Sequence, residues 1–206
     1  ASQEFAKQGL NLEETLNRTK NALVLSKLSG IGVSESVGVL TSVLNAFNSS
    51  VVNSTDIINK LAQVDVNFSV SSKDLCEAIE RVGDKAQEAN VSFDELISVV
   101  SAVQFTTGRS GAAIGNALKT IFLRLSKEEV MGKLQQMGIN IDNKDSFLEK
   151  IQKIASKVES SSSEDISTIT ELIGGIYQIN ILKSLLKDLN NKNGIYYRVL
   201  ALMQSK

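Results

Sequence analysis

The sequence predicts an all-α fold, a multi-helix array of about ten short amphipathic helices joined by Gly, Ser and Asn turns. Three observations carry that expectation. Apolar residues recur at helical spacing through nearly every segment. The chain has no proline in 206 residues, where average usage of about 5% predicts roughly ten; many helices on short turns tolerate that lack better than a β-sandwich does. Helix N-terminal signatures also stand where the apolar patterns begin.

The elements follow in order. Asn11 and Glu14 form an N-x-x-E capping pattern, and a helix is predicted from there to about Ser29. "SGIGVS" breaks it, and Val37, Leu40, Val43, Leu44 and Phe47 form one face of a second helix. "NSSVVNSTD" is the next break, after which Ile57, Ile58, Leu61 and Ala62 mark a third, shorter helix. In "VDVNFSVSS" the residues Val64, Val66, Phe68 and Val70 alternate, so this run is expected to be an extended connector with its apolar groups turned inward. Ser71 or Ser72 then caps a helix lined by Leu75, Ile79, Val82 and Ala86. Ser92 with Glu95 is an S-x-x-E box ahead of Phe93, Leu96, Ile97, Val100 and Val103.

Past a glycine-rich stretch, Val130, Leu134 and Met137 make a short helix that Gly138 is expected to end in the left-handed conformation. Phe147, Leu148, Ile151, Ile154, Ala155 and Val158 line another. "ESSSSED" is read as a flexible boundary. Ile166, Ile169 and Ile173 lead into "GGIYQIN", then Ile181, Leu182, Leu185, Leu186 and Leu189 form a strong stripe, and "NNKNG" turns into a last helix. The expected organisation is residues 1–52 as N-terminal helices, 53–158 as a core helical region and 159–206 as C-terminal helices. "GVSESVGVLTSVLNAF" and "NVSFDELISVVSAVQF" share a faint internal echo. The first residue is Ala1 rather than Met, and the chain is expected to be a fragment or a processed product.

Composition removes most chemistry. Histidine is absent, which takes away the usual general base and the commonest metal ligand. The one cysteine, Cys76, lies in the helical pattern "DLCEAIERV" and reads as a packed free thiol. Net charge is −1 with both signs scattered, so nothing resembles a stripe for sequence-specific nucleic-acid binding. No apolar run approaches the length of a bilayer span. The acidic pairs Glu13/Glu14 and Glu128/Glu129 sit at helix starts or on solvent faces, and "NIDNKDS" lacks the glycine and distal glutamate of a calcium loop. The expectation is no catalytic residue, no cofactor and no metal.

"TTGRSGAAIGNALKTIFLRL" is the stretch that decides between two readings. It places Gly108, Gly111 and Gly115 within eight residues at the start of a helix. A phosphate loop needs a second glycine followed at once by Lys-Ser/Thr. Here Gly115 is followed by Asn116, and Lys119-Thr120 comes a full turn late. Close packing fits better. Ile114, Ala117, Leu118, Ile121, Phe122 and Leu125 recur on one helical face. Gly111 and Gly115, one turn apart, are expected to form a structural helix-crossing point, with Gly108 as the turn that aims the helix.

On those residues the chain resembles the core region of phage tail tape-measure proteins, the tail-length regulators of long-tailed bacteriophages and related prophages. Gly108, Ser110, Gly111, Gly115, Leu118, Arg124 and Leu125 carry the sharpest part. "VSSKDLCEAIERVGDKAQEANVSFDELISVVSAV" upstream, and "LQQMGINI" and "ELIGGIYQINIL" downstream, extend it from about Asp56 to Leu189. One departure is "DNKDSF", where relatives often carry a glycine after the acidic turn.

The resemblance implies a structural virion protein that sets tail length during assembly and is ejected ahead of the DNA. It implies a place in the tail lumen or tail tip, and in the host cytoplasm during assembly. The implied partners are copies of itself about the tail axis, as a trimer, with tail-tube and tail-tip or baseplate proteins, tail assembly chaperones and a transient membrane contact on ejection. Two other classes compete with it: a soluble helical adaptor or effector binding partner helices, and a membrane-active helical segment.

Overall fold

The computed structural model describes residues 1–47 and 53–205. Eleven helices and no strand are present among them: α1 (Ser2–Ala6), α2 (Leu12–Ser29), α3 (Val33–Ala46), α4 (Ser54–Asn67), α5 (Ser72–Glu88), α6 (Phe93–Thr107), α7 (Gly111–Leu125), α8 (Glu128–Gln136), α9 (Phe147–Glu159), α10 (Ser163–Leu189) and α11 (Ile195–Gln204). The all-α class is as predicted. Part of the expected break after the second helix, and the expected boundary at residue 52, lie outside the described residues.

Local chemistry explains where the helices begin. Asn11 with Glu14 and Ser92 with Glu95 form reciprocal capping boxes, each side chain satisfying the other residue's backbone N–H. Ser146 with Glu149 forms a third, whose S-x-x-E spacing is equally visible in the sequence. Ser71, Ser110 and Ser162 accept from Asp74, Ala113 and Asp165 N–H groups, and Asn53 from Thr55 and Asp56. Gly138 takes φ +83° just past α8. The "DNKDS" loop closes without a glycine: Asp145 accepts from the Asp142 N–H, Asp142 accepts from that of Lys144, and Lys153 bonds Asp145 at 2.7 Å.

Core packing places α6 at the centre. The predicted stripe of Phe93, Leu96, Ile97, Val100 and Val103 is buried, and so are Ser98, Val99, Ser101 and Ala102 on its other sides. α11 and α10 pack against α6, α5 and α7 pack against each other, and α2, α3 and α4 close the N-terminal side. Lys60 of α4 pairs with Asp94 of α6. The Arg198 guanidinium lies over the Phe68 ring at 5.2 Å. The two echo stretches are α3 and α6, of which only α6 has a side-chain N-cap.

One expectation is corrected, and two features go beyond the sequence reading. The run from Val64 is not an extended connector, because α4 continues to Asn67 and the Phe68 N–H closes its last turn on the Val64 carbonyl. Val64 extends the helical stripe of Ile57 and Leu61, whereas Val66 is 83% exposed, so the alternation was accidental. Phe68 alone takes extended dihedrals; the chain then bends at Ser69, with the Val70 N–H donating to the Phe68 carbonyl at 2.8 Å, and Phe68 and Val70 both pack on the core. A short helix, α1, precedes the first predicted one and buries Phe5. Ser163–Leu189 is one helical element with a kink, since Gly175 has φ 64° and ψ 173° inside it.

Candidate functional site

Nothing among the described residues groups three or more Cys, Asp or Glu side chains closely enough to hold a metal. Cys76 is fully buried in α5. Burial, reinforced by the carboxylates of Glu35, Glu80 and Glu77, pushes its thiol up to about 12, so it is protonated at neutral pH and not an activated nucleophile. Close approaches between helices are found instead at a pair of junctions.

The first joins α5, α6 and α7. α6 ends on Gly108 at φ 62° and ψ 16°, left-handed geometry that suits a residue without Cβ. The chain reverses there, and Ser110 caps α7. α7 then crosses α5 at very short range. A Cβ on Gly111 would stand 2.0 Å from the Asp74 carbonyl oxygen. One on Gly115 would stand 2.9 Å from Arg81 Cβ and 3.0 Å from the Ala78 carbonyl oxygen. Gly108 has open space around it, so its role is conformational and not steric.

A polar clamp lies across this junction. Asp74 Oδ1 accepts from the Gly111 N–H at 2.7 Å, and Oδ2 accepts from Gln104 Nε2. Gln104 Oε1 in turn accepts from the Ser71 N–H at 2.9 Å. One carboxylate therefore sits at the positive end of α7 while tying together the start of α5 and the last turns of α6. Sequence reasoning marked the glycines but missed Asp74 and Gln104 as their partners.

The second junction joins α7 and α10. Arg124, in the last turn of α7, donates from its guanidinium to the Glu171 and Leu172 carbonyls at 3.3 and 3.1 Å. Those carbonyls lie in the last turn of the first segment of α10, just ahead of the kink at Gly175. A positive charge is favourable there. A Cβ on Gly175 would stand 3.1 Å from an Arg124 terminal nitrogen.

A sequence model of the phage-related minor tail protein family matches residues 1–174. The chain belongs to that family. No solved structure matches it. As a phage minor tail protein its setting is the virion tail. The family match reaches Ala1, well upstream of the Asp56 from which the sequence resemblance begins, and it ends on Gly174, one residue short of the kink. Both junctions of this minor tail protein thus lie within the matched region except for the second segment of α10.

That second segment carries another carboxylate clamp. Asp188 is buried, and its two oxygens accept from the Ile195 and Tyr196 N–H groups at 2.9 Å each, capping α11 from outside its own sequence. Next to it a cleft of about 710 Å³ has Phe105, Lys183, Lys187 and Arg198 in its lining. No helix among the described residues is long and apolar enough to cross a membrane. Only α2 with α3 passes on length and composition, and those two are bent by 113°.

Proposed function

We propose that this minor tail protein is a compact section of a tail tape-measure protein, whose full chain sets tail length during assembly and leaves ahead of the DNA. The observation that supports the reading most is a convergence. Three of the four stretches that resemble tape-measure cores, around Asp74, from Gly108 to Arg124, and at Leu172 to Gly175, interlock through the two junctions. Motif residues 37 and 48 positions apart therefore serve one structural purpose, and that purpose is to hold helices together.

Size argues for a division of labour within such a chain. As a continuous helix 206 residues would run about 310 Å at 1.5 Å per residue. Folded compactly they have a radius of gyration of about 17 Å. A section of this kind measures little length, and the ruler would be the extended helical part of the same protein. Its partners on this reading are copies of itself around the tail axis, three in number, with tail-tube, tail-tip or baseplate proteins and assembly chaperones. The role is structural and non-enzymatic.

The test uses the intact phage. In-frame duplication of an extended helical part of the gene that encodes this section should lengthen tails in proportion, as measured by electron microscopy. The section itself should be present in intact tails and absent after DNA release. Tails whose length ignores the duplication would overturn the reading. Purified protein should hydrolyse neither nucleotide nor peptidoglycan above a denatured control.

A further inference from the structure

We propose that the outer face of α2 is a self-association surface, on which a second copy of the chain docks its own α2 in antiparallel orientation. α2 buries Thr15, Asn21, Ala22 and Leu25 against the rest of the protein. Its opposite side is not a solvated polar face. Leu12, Leu16 and Leu23 are 76%, 60% and 52% exposed. With Thr19 they are spaced four, three and four residues apart, the spacing of the apolar seam in a two-helix coiled coil. The Thr19 hydroxyl is already bonded to the Thr15 carbonyl at 2.6 Å, so the residue has no unmet need for a polar partner at the seam.

Charge chooses the partner and its direction. Beside the seam, on one flank, stand the exposed Glu13, Lys20 and Lys27; the other flank is Thr15, Ala22 and Ser29, uncharged, with Thr15 and Ala22 turned into the protein's own core. Neither Glu13 nor Lys20 has an ion-pair partner among the described residues. Two parallel copies would set the charged flank against the uncharged one and pair nothing. Antiparallel copies set charged flank against charged flank. With Leu12 opposite Leu23 of the second copy and Leu16 opposite its Thr19, Glu13 of each copy falls within about one helical turn of Lys20 of the other. The seam is self-complementary, as a two-fold contact requires.

A contact made by one helix per copy is small, and interfaces under about 1,200 Å² are weak and transient. The pair is therefore a reversible, concentration-dependent dimer of the protein on its own. It is a different contact from copies that all point one way along a tail, and it stands or falls independently of the tape-measure reading.

Sedimentation equilibrium of the purified chain across a hundredfold concentration range decides it. The wild type should dimerise. Leu16→Glu should raise the dimer Kd by at least about tenfold, with an unchanged circular-dichroism melt because the site is exposed. Glu13→Lys and Lys20→Glu should each weaken dimerisation, and the double variant should restore it by exchanging the charges. A wild type that stays monomeric, or a dimer that ignores Leu16→Glu, overturns the proposal. A double variant no better than the singles overturns the antiparallel register. Flotation with vesicles of phosphatidylcholine and phosphatidylglycerol, lost on Leu16→Glu in a protein that stays monomeric, would assign the face to a lipid surface and overturn it too.

Discussion

At Gly115 the space a methyl group would need is already filled by Arg81 Cβ and the Ala78 carbonyl, and at Gly111 by the Asp74 backbone. Adding a methyl to Gly115 improves helix propensity by up to about 1 kcal/mol, while overpacking costs about 1–3 kcal/mol. Gly115→Ala should therefore lower the melting temperature and Gly115→Leu should lower it further. Asn116→Ala, on the exposed neighbour, should stay within about 0.5 kcal/mol of wild type. Gly111→Ala should be worse than Gly115→Ala, because its methyl meets backbone at 2.0 Å and backbone yields less than a side chain. A Gly115→Leu protein that melts above wild type would contradict the close crossing. Asp74→Ala removes the acceptor of the Gly111 N–H and of Gln104 Nε2, and should cost about 1–3 kcal/mol in denaturant titration. Spacing alone made the glycines legible. Their partners were not legible, because Asp74 lies 37 residues from Gly111 and 30 from Gln104, and only the tertiary packing brings them together.

Among the elements, α10 shows why a kink is needed. Its first segment buries Ile169 and Ile173, and its second buries Leu182, Leu185 and Leu186. At about 100° per residue, Ile173 and Leu182 would fall on opposite sides of one straight helix. Gly175 breaks the phase so that both stripes reach the core, in a backbone region open essentially to glycine alone. Gly175→Ala should thus destabilise by about 1–3 kcal/mol, and Arg124→Leu, which strips two carbonyls of their donor, by about 1–2 kcal/mol. Paired melts of these variants check both, and an unchanged Gly175→Ala would mean the kink is not strained. Helix starts were readable because capping is local. The α4 end was misread because four apolar residues happened to alternate while the true stripe, Ile57 to Val64, ran at helical spacing. The burial of Ser98, Val99, Ser101 and Ala102 in α6 was not readable, since small residues do not reveal which side another helix will cover.

For the whole molecule, two buried acids tie stability to alkaline pH. Cys76 is raised from its ordinary 9.0 to about 12, first by burial, and burial also raises the Tyr196 hydroxyl above its ordinary 10.0. Above pH 9 the unfolded chain releases the thiol proton and the folded chain does not. Stability is then full below pH 9 and falls as pH rises toward 12. Urea midpoints at pH 8 and pH 10.5 should show the loss, and Cys76→Ala should make it smaller; an equal loss in that variant would remove the thiol as its cause. The encasement of α6 has a consequence for motion. Its stretch 96–104, buried on every side, cannot expose its amides by local fraying, so those hydrogens should exchange with solvent only when the whole molecule opens. α1, five residues of which Phe5 alone is buried, should exchange fastest. Under tension applied to its ends, the same chain would surrender α1 or α11 first, and α6 would be the last helix to let go.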